Sequence, residues 1–502
     1  MKKLIILLFA SVLFVSCGQD FLDVNTDPNN PAEATPEVTL PVAQVSSAAI
    51  VQGGYNSMNT VGNLFMYIWA SGPGGVWYTN EMALNVTSNF HPEIWNTTYA
   101  SILKNYNYVA NYDQPNYEYF NAIAKIMMVY HFQILVDAYG DVPYTEALKR
   151  ATNTRPAYDN AASIYANLLT DLDDALALIN NAPASALVPN GNQDIMLAGD
   201  MTKWKQFANT LKMKLVIRES STLDMATIQG VFADIAAEGS GFLTETVYAN
   251  PGYTKTSSKQ SPHWAGYGED TGDNVTLNWK YTKGTDYIID KMISGNDFRI
   301  DGKFAVVNGF WQGFAQGAAT AGENNEDYSS IAKKSGGSFS GNPNWKPELI
   351  DSEQDAIIFT AAESYLLQAE AADKMYMTGV AQDLYVAGVE ASFAEYGFSS
   401  LYSNGYLSGN AGDDAVNWTL GNHMKCIITQ KYFALAGING METWFEYNRT
   451  GFPDDLPFSS TAISTTRPVR LLYPNSEISN NSANVPAQTS SDAFSSPIFW
   501  QN

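Results

Sequence analysis

The sequence predicts an α-dominated fold in which paired helices form a scaffold and a large irregular, loop-rich lobe packs on it. Three observations lead there. Apolar residues recur at three- and four-residue spacing through several long segments. That period vanishes over 240–352, where glycine, asparagine, serine and tryptophan mingle. It vanishes again over 451–502, a stretch rich in proline, serine and asparagine. With 502 residues, 45% of them hydrophobic, the chain has apolar material for a large core and is no disordered polypeptide.

The helical stripes run in order. Within 117–138, Phe120, Ile123, Met127, Tyr130 and Ile134 share one face, and Gly140 is placed to end the helix. Within 159–180, Ile164, Leu168, Leu172, Ala175 and Ile179 make a second stripe, with Asp159 as its expected N-cap. Trp204, Phe207, Leu211 and Leu215 make a third in 202–219. A helix over 355–377 is expected to start at Asp355 and to present Phe359, Ala362, Leu366 and Ala369. Further helices are expected over 380–396, 422–436 and 440–449. Such pairs, with Ala and Gly at close-approach positions, suggest stacked hairpins of tetratricopeptide type, although the strict repeat of about 34 residues is not visible. Both helical blocks, 42–239 and 353–450, need partners for their apolar faces, so 42–502 reads as a single domain.

The first residues set an address. Lys2-Lys3 precedes an apolar run from Leu4 to Val15, shorter than the ~20 residues of a bilayer-spanning helix. Residues 1–16 therefore read as a secretory signal peptide. Ser16-Cys17 after such a run looks like a bacterial lipobox, which implies cleavage before Cys17 and acylation of its thiol. One acyl chain anchors only marginally, so a firm hold needs multiple acylation of that cysteine. Residues 17–41 read as a tether. In it Asp23, Asn25, Asp27 and Asn29 alternate like calcium ligands, but Pro28 and Ala34 stand where a calcium loop needs Gly and Glu. No cofactor is expected, and a structural calcium ion is conceivable here but unsupported.

Charge and motifs exclude several functions. Lys and Arg total 28 against 51 Asp and Glu, a formal charge of −23, and no basic patch offsets it, so no nucleic acid is expected as a partner. Two cysteines, Cys17 and Cys426, cannot build a disulfide framework, and Cys426 reads as a small buried apolar residue. His91, His131, His263 and His423 share no metal-ligand spacing, and His131 falls inside a packed helix. There is no G-x-S-x-G elbow and no Walker loop; the stretch Gly336–Gly341 has Phe339 at its centre and reads as a flexible loop. Glycoside hydrolysis needs two carboxylates about 5–5.5 or 6.5–9.5 Å apart in a cleft. The acids that can be placed lie on helical faces or in turns, so a binding protein is expected rather than an enzyme.

Several longer motifs carry a resemblance. Asp137-Ala-Tyr-Gly140-Asp141-Val-Pro143-Tyr144-Thr-Glu146-Ala147 closes the first long helix. Trp204 leads through Lys214 to Arg218, and Ala361-Ala362-Glu363-Ser364 to Gln368-Ala369-Glu370-Ala371. Gln430-Lys431-Tyr432 precedes Glu442-Thr-Trp444 and Asn448-Arg449-Thr-Gly451-Phe-Pro453, and Arg470 precedes Tyr473-Pro474 and Glu477. Together with the lipobox and Asn25-Thr-Asp27-Pro28, these resemble the SusD/RagB outer-membrane nutrient-binding lipoproteins of Bacteroidota, in the SusD-like branch. Asn448 departs from the pattern, which has a basic residue there, and so does Phe499 beside Trp500, where paired Trp is common. The resemblance implies a scaffold of four tetratricopeptide-like helix pairs. It also implies a lipid-anchored, cell-surface-facing outer-membrane protein that passes an oligosaccharide, or a peptide in RagB-like members, to a SusC-like TonB-dependent transporter without catalysis.

The ligand contacts are sought among loop aromatics, because a flat ring covers the C–H face of a sugar while neighbouring amides and carboxylates bond its hydroxyls. Trp69, Trp77 and Tyr78 flank a glycine-rich turn, Ser71-Gly72-Pro73-Gly74-Gly75. Trp264 and Tyr267 lie near Glu269 and Asp270, Trp279 and Tyr281 follow Asn274 and Asn278, and Trp311 stands between Phe310 and Gln312. These eight are the candidate ligand contacts, whereas Trp95, Trp204 and Trp444 fall on helical positions and are expected in the core. The aromatic, asparagine-rich and acidic composition favours neutral glycans over peptides and acidic polysaccharides.

Overall fold

In the computed structural model, which describes residues 34–149 and 152–501, helices dominate and consecutive ones pack in pairs. Cys17 and the Asp23–Asn29 stretch lie outside these residues. Lys104–Ala110 packs on Glu118–Tyr139, Ala161–Asn180 on Met201–Arg218, Ala361–Asp373 on Ala381–Glu395, and His423–Leu435 on Gly440–Thr450. The helix Glu118–Tyr139 is long and apolar enough to cross a bilayer, but it is buried on nearly every side as the central rod of the core. Gly140, at φ +83°, ends it as expected.

Local chemistry corrects several boundaries. The first helix, Pro36–Gln52, starts inside the stretch read as tether, with Pro36 at its first turn. Asn160, not Asp159, caps Ala161–Asn180 by accepting from the Ser163 N–H. Asp159 instead accepts the backbone N–H groups of Tyr144 and Thr145, each at 2.9 Å. The segment read as one helix from Asp355 is a strand, Ala356–Phe359, followed by a helix that Thr360 caps. Its β-branched Ile357 and Ile358 favour the extended state. Met225–Glu238 and Ser400–Gly409 are helices whose stripes are too short to announce themselves.

Two short antiparallel pairings join the lobe to the scaffold: Val247–Ala249 with Ala356–Phe359, and Trp69–Ser71 with Thr282–Gly284. Helix Met58–Phe65 crosses Gly440–Thr450 so closely that a Cβ on Gly62 would lie 1.8 Å from the Gly440 carbonyl carbon. The buried amides of Asn59 and Asn63 bond Gly437 and Gly440 there.

Charge, unexpectedly, fills the middle of the scaffold. Arg218, 1% exposed, sits 2.5 Å from Glu442, 2.9 Å from Glu446 and 3.4 Å from Asp137. Lys214 pairs with Glu363 at 2.8 Å and Glu442 at 3.0 Å, and Arg449 grips Glu370 with two nitrogens. Burial alone would raise Glu446, but Arg449, Lys431 and Arg218 hold it well below the usual carboxylate range. At Asp137 burial wins over Arg218 and pushes the carboxyl up to about 6.

Candidate functional site

The turn Ser71–Gly75 is stitched to the end of the short helix Leu277–Tyr281. Gly72 N–H donates to the Tyr281 carbonyl at 2.8 Å, and a Cβ on Gly75 would press on Tyr281 at 3.2 Å. The same Cβ would lie 2.5 Å from the Ser71 hydroxyl, so glycine is required for the turn to close on itself and against Tyr281. Trp77 meets Tyr281 edge-on, with ring centroids 6.4 Å apart. Both rings are half-buried, and the Lys280 ammonium lies 5.4 Å from the centre of the Tyr281 ring. Asn325 braces them from below, donating to the Lys280 carbonyl at 2.8 Å.

Polar groups around this turn are incompletely paired. The Ser71 hydroxyl, the Trp77 indole N–H and the Asn325 side-chain oxygen are all buried without a hydrogen-bond partner. Lys283, beneath the turn, donates to Ser330 at 2.8 Å, and burial lowers it to about 8. Asn80, three residues after Trp77, and Asn308, Gln312, Asn324 and Asp327 of the lobe are exposed. The result is a half-buried aromatic pair with exposed amides on the same segments of chain, able to cover an apolar ring face and to bond its hydroxyls.

A neighbouring aromatic patch is built on paired segments of the lobe. Trp279 donates its indole N–H to the Ile331 carbonyl and Trp311 to the Phe304 carbonyl, both at 2.9 Å, and Phe304 and Ile331 are themselves bridged. The two indoles are thereby fixed on adjacent strands of chain. Lys333 lies 4.7 Å over the Trp279 ring and is held by Glu269 at 2.5 Å, so one face of that indole is occupied. Trp311 takes the edge of Phe339 at 4.5 Å, and beside it Phe310 is 73% exposed.

Of the eight expected contacts, four are half-exposed in this way and four are not. Trp69, Tyr78 and Tyr267 are at most 1% exposed and Trp264 is 7% exposed. These four are core residues, which corrects the expectation for them. Their segments fold inward: Tyr267 bonds Thr60 of helix Met58–Phe65 at 2.5 Å, Tyr78 bonds Thr282 of the lobe strand at 2.9 Å, and Trp69 packs on Tyr267 at 5.0 Å. Local sequence carries no warning of this, because an aromatic beside glycine and serine reads alike whether its loop faces out or in. Phe310, Phe339 and Asn325 are not among the expected contacts; the available signal was a phenylalanine within a glycine- and serine-rich or glycine-aromatic stretch, Gly309-Phe310-Trp311 and Ser338-Phe339-Ser340.

The other residues weighed for chemistry are structural. His131 is fully buried against Ser47, and burial drives it down to about 3, so it is neutral. Burial pushes the Cys426 thiol up to about 12. Asp301 accepts from Ser338, Phe339 and Ser340, which ties down the Gly336–Gly341 loop. Among the described residues no group of three or more His, Cys, Asp or Glu converges as a metal site.

Comparisons with known proteins fit this architecture. A family model, SusD-like, described as starch-binding and associating with the outer membrane, matches residues 28–474. A chitin-binding SusD homologue from Flavobacterium johnsoniae superposes with a TM-score of 0.72 at 21% identity, over 93% of this chain and 98% of that one. A SusD homologue from Bacteroides uniformis gives 0.69 at 22% identity, over 92% and 99%. Another structure, described as a chitin-binding protein, gives 0.71 at 23% identity, over 93% and 100%. These identities speak for the fold. No curated protein matches.

Proposed function

Since the chain belongs to the SusD-like family, we propose that it is a non-catalytic, surface-facing outer-membrane lipoprotein that binds a neutral oligosaccharide and delivers it to a SusC-like TonB-dependent transporter. The observation that carries the reading is the half-buried Trp77–Tyr281 pair, held where a glycine turn meets the end of helix Leu277–Tyr281. Trp311 and Trp279 extend the aromatic surface along the lobe. The family description and the chitin-binding relatives support glucose or N-acetylglucosamine polymers as the ligand class. Asp137 and Glu219, pushed up to about 6 and 7, are buried within the helical scaffold, so neither is placed to act as the acid of a hydrolase. Anchoring falls to Cys17.

The test is calorimetric titration with maltoheptaose, chitohexaose and a mixture of short peptides, followed by a reducing-end assay on the same samples. Saturable binding of a sugar with no new reducing ends is expected. Binding of peptides alone would move the chain to the RagB-like reading, and released reducing ends would overturn the non-catalytic role. Acylation is checked by mass spectrometry of the mature N-terminus, and delivery by co-purification of a large β-barrel.

A further inference from the structure

A second cleft lies on the helical scaffold and shares no residue with the loop face. It holds about 880 Å³, within the ~300–1,000 Å³ usual for ligand sites. Its floor is Trp95, 2% exposed, at the centre of an aromatic cluster with Tyr99, Tyr139, Tyr158 and Tyr473 at 4.9–6.2 Å. Three of the six buried tryptophans among the described residues, Trp204, Trp444 and Trp500, donate their indole N–H to Asp194, Pro468 and Asp137. The Trp95 N–H finds no acceptor among the described residues, although the sliver of Trp95 that is exposed opens into the cleft. Open to the cleft rather than sealed in the core, this donor is free to bond a group seated there.

Two irregularities of the backbone frame the same cleft. Thr98–Leu103 is a π-helical turn, and it places Tyr99, Ala100 and the following Lys104 on the cleft wall. Such turns recur at functional sites. Leu148, on the facing wall, is held at φ +63°, a conformation that a side-chain-bearing residue avoids. The rim is polar and close to neutral. Asn96 accepts from Ser476 at 2.7 Å and keeps its amide hydrogens free among the described residues. Glu477 spends one oxygen on Tyr158 at 2.9 Å, and Asn480 stands exposed beside it. Lys104 balances Glu477, which argues for an uncharged ligand.

We propose that this cleft is a second binding site for a short neutral oligosaccharide, seated against Tyr99 with a hydroxyl accepting from the Trp95 N–H. For the ligand class, though not for the cleft itself, the inference rests on the glycan reading of the loop face. The experiment uses chitotriose and maltotriose, with saturation-transfer NMR and calorimetry on the full mature chain. It compares the wild type with Tyr281→Ala at the loop face, and with Ala100→Trp, which fills the cleft from an exposed position. Two binding events are expected for the wild type. Tyr281→Ala keeps one of them, Ala100→Trp keeps the other, and Asn480→Ala weakens the cleft event about three- to tenfold. Should Ala100→Trp misfold, Asn96→Ala and Asn480→Ala together replace it. A folded Ala100→Trp or double-alanine variant with wild-type stoichiometry and signals overturns the cleft while leaving the loop face intact. Loss of all binding in Tyr281→Ala also overturns it. Loss of all binding in Ala100→Trp, with Tyr281→Ala unchanged, upholds the cleft and sinks the loop face. No binding of either sugar to the wild type overturns both.

Discussion

The helical interior and the loop face treat polar and aromatic groups in opposite ways. In the interior, Arg218, Lys214, Asp137, Glu363, Glu442 and Glu446 are buried but answered, each charge facing at least one opposite charge within 3.4 Å. At the loop face, Trp77 and Tyr281 are half-exposed, and the polar atoms of Ser71, Trp77 and Asn325 are left unpaired. An interior in which buried charges compensate one another fixes how the helices pack, even with the Arg218 Nε and Glu363 Oε2 atoms short of a hydrogen bond, whereas the aromatic turn is uncharged, half-exposed and has interactions left to make with something else. The difference teaches where stability and recognition are separated in this molecule.

The largest test breaks the interior. Arg218→Met strands Asp137, Glu442 and Glu446 without their shared cation, and about 3–5 kcal/mol of stability should be lost. Thermal unfolding would show it, while the fraction that remains folded binds sugar as before. A sharper probe is Trp279→Ala, at the border between the regions. It removes the anchor on Ile331 and the seat of Lys333, so it should cost ~2 kcal/mol of stability and only a few-fold in affinity.

Glu219 tests the interior through pH. Burial, reinforced by Asp137, raises it from 4.5 to about 7. An acid raised on folding holds its proton more tightly in the native state. Its contribution is thus favourable at low pH and is lost as pH rises through about 7. Glu219→Gln should raise the melting temperature at pH 8 by the equivalent of ~1–3 kcal/mol and change little at pH 4.5, flattening the profile between. An unchanged slope would show that the carboxyl is solvated. The smallest effect is expected at Cys426: with its thiol pushed up to about 12, the peptide containing it should stay unalkylated by iodoacetamide at pH 8 until the chain is unfolded.

The contrast also explains what the sequence made legible. The long stripes around Phe120, Ile164 and Trp204 gave helices close to their observed bounds, because one buried face imposes a period that survives in the residues themselves. Asp137, Arg218, Glu363, Glu370, Glu442 and Arg449, read as parts of family motifs, prove to be the ion-pair interior, so the motifs report the scaffold and say nothing of the ligand. The site was half legible. Composition brought Trp77, Tyr281, Trp279 and Trp311 forward, but it brought Trp69, Tyr78, Trp264 and Tyr267 with them. Which of the two sets faces out is decided by contacts more than 180 residues away in the chain, such as those of Tyr78 with Thr282 and Tyr267 with Thr60. No local pattern encodes such contacts. Strand Ala356–Phe359 was misread for a related reason, since Phe359 continued the helical spacing while its partner strand lay far upstream.

The most direct measurement is the paired affinity and melting temperature of Tyr281→Ala against wild type, with maltoheptaose and chitohexaose as ligands. The separation of stability from recognition predicts at least a tenfold loss of affinity, about 1.4 kcal/mol, with the melting temperature nearly unmoved. A sharp fall in melting temperature with affinity intact would contradict it, for the ring would then belong to the core and the loop face would not be the place where this chain holds its ligand.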